Sequence, residues 1–223
     1  MISIARALTL APLALTAASA SATQPLPPAL TSAITATQAA KAPYAFDLDV
    51  HSSDVNWRAH FDPAATPRLR LVEPAALDND QRRAFDNAAR RMEGLPWCAS
   101  PEMSHIADAR LLRETPEVAT YAFQPTPESI RGEQARSFAG RLRGEATLTK
   151  ANPDIANIHI FAPAPFNPML LMRIDRIDIA ITCAPAPNGR RFASETVTQI
   201  RGSAFGQAIN ERSVQRAHDL APS

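Results

Sequence analysis

Tyr44-Ala45-Phe46-Asp47-Leu48-Asp49-Val50, then His51-Ser52-Ser53-Asp54, then Val55-Asn56-Trp57-Arg58-Ala59-His60-Phe61 is the stretch that decides the fold class. Apolar and polar residues alternate in both halves. Tyr44, Phe46, Leu48 and Val50 fall on one face of the first run, and Val55, Trp57, Ala59 and Phe61 on one face of the second. Side chains alternate sides along a strand, so each run reads as a half-buried strand, and the short polar joint makes them an antiparallel hairpin. One face is aromatic and belongs on a core; the other carries Asp47, Asp49, Arg58 and His60 and belongs in water.

Downstream, Arg68 to Glu73 reads as a short strand. A helix follows over 78–93: Asp78 can cap it, Gln81 sits three residues on as in a capping box, Phe85, Ala88 and Met92 share a face, and Gly94 and Pro96 end it. Ala109 to Glu114 and Val118 to Phe123 flank Thr115-Pro116-Glu117 as a second hairpin. Thr126-Pro127-Glu128 has the form of a helix start, with a helix expected to about Ala139. Leu142 to Leu148 and Asn157 to Ile160 alternate again. In Leu170 to Cys183 the apolar phase flips across Asp175-Arg176, which a regular strand could not bury on one face. A β-bulge there repairs it and curves the sheet. Asn188-Gly189 supplies a hairpin turn and Phe192 to Ile200 the returning strand. Gly202 to Asp219 is ambiguous and reads as one more strand and a ragged tail.

Upstream, Ala29 to Lys41 reads as a short helix ending before Pro43. The chain itself starts with a three-part leader: Arg6 in the n-region, an apolar Ala7 to Ala18, and Ala18-Ser19-Ala20-Ser21-Ala22 with overlapping A-x-A sites. Residues 1–22 are therefore read as a secretory signal peptide and 23–223 as a single domain, with 23–28 and the last few residues expected to be mobile. The fold class expected is α+β: a curved, mainly antiparallel β-sheet with a few helices packed on its apolar face.

The chain has 223 residues and a net charge of +1; without Arg6 its basic and acidic residues are equal in number. Such a balance gives no strong field to recruit nucleic acid or anionic lipid, and no segment after the leader is apolar enough to span a membrane. The two cysteines, Cys98 and Cys183, are expected to form a disulfide in an oxidising compartment.

Chemistry is harder to find. The five histidines form no H-E-x-x-H or H-x-H pair, so zinc-ligand spacing is absent. Gly202-Ser203-Ala204-Phe205-Gly206 puts its serine in the wrong place for a nucleophile elbow, and seven glycines form no phosphate-cradling loop. No catalytic residue, metal or cofactor is assigned. Asp47, Asp49, Asp175 and Asp178 have arginines close by and read as surface ion pairs. The segment 162–169 contains three prolines that stiffen it and can present Phe166 and Met169 to a ligand or partner.

Between Leu142 and Gly202, Pro153-Asp154-Ile155, Ile158-His159-Ile160, Ala162-Pro163, Phe166-Asn167-Pro168 and Arg173-Ile174-Asp175 together resemble uncharacterised secreted or periplasmic proteins of proteobacteria. That resemblance implies export and names no activity. In outline, an exported chain with a curved antiparallel sheet and helices on its concave side is also similar to the LolA-like lipoprotein carriers, an analogy of fold that carries none of their motifs. Three functions follow as expectations: an envelope protein that binds an apolar ligand or lipid in the hollow of the sheet, an envelope interaction protein docking a partner through 162–169, and a hydrolase with an unrecognised site. The first two are separated from the third by whether acid, base or nucleophile groups converge in a cleft.

Overall fold

The computed structural model describes residues 25–40, 42–130 and 136–223. The leader read at residues 1–22 lies outside the described residues. In chain order the elements are α1 (Pro28–Ala39), β1 (Tyr44–His51), β2 (Asn56–Phe61), β3 (Leu69–Glu73), α2 (Asn79–Arg91), β4 (Ala107–Glu114), β5 (Val118–Gln124), β6 (Arg143–Thr149), β7 (Ile155–Phe161), β8 (Phe166–Met169), β9 (Met172–Pro185), β10 (Arg191–Ala204) and β11 (Gln207–Pro222). The strands form one open antiparallel sheet in the order β3-β2-β1-β11-β10-β9-β7-β6-β5-β4, with β8 also on β9. The protein is α+β, as expected, and the sheet is curved.

The opening hairpin has the expected register. Phe46 faces Phe61, Leu48 faces Ala59 and Val50 faces Trp57, and all six side chains are buried. α2 starts where Asp78 caps it: the Asp78 carboxylate accepts the backbone N–H groups of Asp80 and Gln81 at 2.9 and 2.8 Å. Phe85 of α2 then meets Trp57 edge to face, with ring centroids 5.3 Å apart. The bulge at the phase flip is present. Arg176 faces Arg201 and Ile174 faces Gly202, which leaves Asp175 without a cross-strand partner. Ile174 and Ile177, three residues apart, are both buried as a result.

Two readings differ from the structure. Of the helix expected from Thr126 to Ala139, the described residues show a 3-10 turn at Pro127–Ser129, an extended Ile130, helical backbone at Arg136 and a second 3-10 turn at Ala139–Arg141, so the start lies later than Thr126-Pro127 suggests. The Ser129 hydroxyl bonds back to Thr126 and closes the first turn, while Ile130 packs into the core below β9; residues 131–135 lie outside the described residues. The ambiguous Gly202 to Asp219 belongs to two long strands joined at Phe205-Gly206, and β11, the longest strand, sits in the middle of the sheet between β1 and β10. It runs to Pro222, opposite Tyr44.

The core has three parts along the sheet. α1 covers the first through Leu30 and Ala33, against Leu148, Ile155, Ile158 and the two cysteines. α2 covers the second, the aromatic face of β1 and β2. The third is small and lies under the distal half of β9, built from Leu142, Ile174 and Ile177. Cys98 and Cys183 form a disulfide with Cα atoms 6.3 Å apart, within the range that a disulfide spans. No described helix is long and apolar enough to cross a membrane.

Candidate functional site

The long strands fork, and the fork makes a hollow on the helical face with a sheet floor. β11 stays beside β10 only as far as Arg216, opposite Glu195, and then continues along β1. The start of β10 instead takes the segment Pro96–Cys98 as its neighbour: Ala193 N–H donates to Pro96 O at 2.8 Å and Cys98 N–H to Arg191 O at 3.1 Å. That pairing also explains the disulfide, because Ala193 faces Cys183 on its other side. Between this segment and β1 lies a cleft of about 480 Å³. Phe46, Leu48 and Gln215 form its floor, Ala88 and Met92 of α2 one wall, and Leu95, Pro96 and Trp97 the other. Arg91, Glu93 and Gln38 also line it, as does Glu102, one of whose carboxylate oxygens is buried. Trp97 is half-buried and meets Tyr44 edge to face at 6.0 Å.

Apolar and aromatic side chains dominate the lining, with Gln215 and Glu102 as polar groups among them.

On the opposite, solvent face the carboxylates are charge-paired as expected. Arg58 donates to Asp49 at 3.0 Å, Arg173 to Asp175 at 2.6 Å and Arg176 to Asp178 at 2.9 Å. His60 Nδ1 lies 2.6 Å from Asp47. Asp47, His218 and Asp219 bring ligand-type atoms within 4.8 Å of one another. Both ring nitrogens of His218 are taken by carboxylates, Nδ1 at 2.8 Å from Asp219 and Nε2 at 3.2 Å from Asp49. Partial burial works against the charged ring, but these two partners outweigh it and raise the pKa of His218 above the ordinary histidine value. Burial likewise works against the Asp49 anion, and hydrogen bonds from Arg58 and His218 outweigh it and hold its carboxyl below the ordinary range. The group is accounted for as a charge-paired strand face.

Of the residues singled out in the sequence, Phe166 and Met169 do not reach this cleft. The segment 162–169 is a loop only to Pro165; Phe166–Met169 is β8, paired to β9. Phe166 is half-buried against Phe138, centroids 5.7 Å apart, in the third core, whereas Met169 is exposed. Phe46, Leu48, Met92 and Trp97 were legible as core or helix residues, but nothing local in the sequence places them around one space. Comparison of the chain with family models, with characterised proteins and with solved structures finds no match.

Proposed function

We propose that this chain is an exported envelope protein that acts by binding, and that it takes an apolar ligand such as a lipid acyl chain into the cleft between α2 and Pro96–Trp97. The cleft over the fork of β10 and β11 carries the reading, since apolar and aromatic side chains dominate its floor and walls. The disulfide supports the compartment, because such bridges persist where the surroundings are oxidising, and the leader pattern of residues 1–22 agrees with it.

The test uses the two tryptophans of the chain. Trp57→Phe leaves Trp97, at the cleft wall, as the sole reporter. Titration with cis-parinaric acid, a fluorescent fatty acid, is expected to quench Trp97 by energy transfer and to saturate at one site. Ala88→Phe, which places a ring in the cleft, is expected to weaken that binding about tenfold or more while leaving the melting temperature near that of the parent. Quenching that never saturates, or saturable binding untouched by Ala88→Phe, rules the cleft out.

A further inference from the structure

Beyond the body of the sheet, three strands and β8 continue alone. β7 leaves β9 at Asp178 and β1 leaves β11 at Val214, while β9, β10 and β11 run on to their turns. At the end of this arm the β8–β9 and β10–β11 turns meet: Phe205 N–H donates to Leu171 O at 2.8 Å. The joined tip is apolar and open to solvent, with Met169 50%, Leu170 88%, Leu171 65% and Phe205 73% exposed.

Nothing in the folding of the arm accounts for these residues. Leu171 has φ 64° and Phe205 φ 51°, followed by Gly206 at 79°. Left-handed turn positions of this kind favour glycine and asparagine and are unfavourable for bulky side chains. Leucine and phenylalanine here are therefore poor choices for the backbone and poor choices for water at once. An apolar surface kept against both penalties is a surface that something covers.

The charges behind the tip indicate what. On the solvent face of the arm, Arg176 faces Arg201 across β9 and β10, and Arg173 faces Ser203 one step nearer the tip. Arg173 is neutralised by Asp175 and Arg176 by Asp178, but Arg201 makes no ion pair with any described residue. The collar is net positive although the chain as a whole is almost neutral. Arg201 lies four residues from Phe205, roughly 13 Å along a strand, and its long side chain can reach back toward the tip. A convex apolar cap with a cationic collar matches an anionic bilayer surface, which yields to protruding side chains and presents negative headgroups just above the acyl boundary. We infer that this tip inserts into the interface of an anionic membrane, with Leu170, Leu171, Met169 and Phe205 entering the acyl boundary and Arg173, Arg176 and Arg201 meeting the headgroups. The inference is independent of the cleft, which meets β11 at Gln215, eight residues from the start of the strand at the tip.

Flotation of the leader-free protein with phosphatidylglycerol/phosphatidylcholine vesicles tests it, with phosphatidylcholine vesicles as the comparison. The wild-type protein is expected to float with the anionic vesicles, less at high salt. Leu171→Asn combined with Phe205→Asn suits the left-handed turns, so it should melt at or above the wild-type temperature and lose vesicle binding by about tenfold or more. Arg201→Gln should reduce the preference for phosphatidylglycerol a few-fold and leave folding unchanged. A Leu170→Trp reporter should shift its emission to the blue on the anionic vesicles alone. The idea fails if the wild type stays with the soluble fraction, or if the double asparagine variant floats as well as the wild type. It fails equally if sedimentation shows the tip buried in a dimer that the double variant dissolves, since the occupant is then a second copy of the chain.

Discussion

Arg190 and Asp154 are the charged pair that the fold can least afford to break. Both side chains are buried, and Arg190 Nη2 lies 3.1 Å from Asp154 Oδ2. The guanidinium also donates to Thr37 Oγ1 at 3.2 Å and to Pro153 O at 3.0 Å. The carboxylate accepts the N–H groups of Ile155 at 2.8 Å and Arg191 at 2.9 Å. Burial pushes the Asp154 carboxyl up, and the Ile155 N–H, Arg190 and the Arg191 N–H pull against it. Two residues thus join α1, the start of β7 and the β9–β10 turn. Removing one partner leaves the other charge buried and alone, so Asp154→Ala or Arg190→Ala is expected to cost about 3–5 kcal/mol each. The double variant Asp154→Ala with Arg190→Ala should cost clearly less than the two single changes added together. Urea unfolding of the four proteins measures this as a double-mutant cycle, and additive losses would show that the pair is not coupled. Asn188-Gly189 was readable as a turn, but nothing in the local pattern marks the arginine beside it as buried. Its partners Thr37 and Asp154 are remote in the chain, and an arginine at a turn looks like any solvated one.

Among the elements, β9 shows what a sequence can disclose about a sheet. Its phase flip at Asp175-Arg176 is a local contradiction that only a bulge resolves, and the bulge is where the pattern puts it. The β1–β2 hairpin was legible for the same reason, since a clean alternation leaves one face to bury. β11 was not legible, because only Val214 and Ala217 in it are buried and its polar residues lie on both faces. The tip turns carry a fainter signal: Met169-Leu170-Leu171-Met172 is an apolar quartet that no strand could bury on one side, and Phe205 precedes a glycine where asparagine is usual. The bulge also explains Gly202. A Cβ there would stand 2.1 Å from the backbone carbonyl oxygen of Arg173, so β9 and β10 approach this closely only because the side chain is missing. Gly202→Ala is expected to destabilise the protein by roughly 1–3 kcal/mol, as overpacking generally does. Faster amide hydrogen exchange should appear in 172–177 and 199–209, with protection unchanged in β1 and β2. Loss of protection across the whole sheet instead would mean that the arm does not open separately from the body.

For the molecule as a whole, the order of the sheet sets what holds it together. The first strand pairs with the last, Tyr44 opposite Pro222, and such remote pairings leave no local trace in a sequence. Each of them closes a long loop at a cost in chain entropy. The disulfide offsets one such cost. It joins residues 85 apart, from the segment beside β10 to β9, at the centre of the first core. A loop of that length is worth about 4–5 kcal/mol in the chain-entropy model, less whatever order the reduced, unfolded chain retains. Thiol labelling of the denatured, unreduced protein is expected to find no free cysteine, and to find both after reduction. Cys98→Ala with Cys183→Ala should lower the unfolding free energy by up to that amount without changing the sheet, because Cys98 N–H keeps its bond to Arg191 O and Pro96 O keeps its bond from Ala193 N–H. The segment that walls the cleft is then held by backbone pairing, while the bridge limits the unfolded chain. A cysteine-free protein that folds but no longer protects the Cys98 and Ala193 amides from exchange would reverse that division, making the disulfide the support of the cleft wall itself.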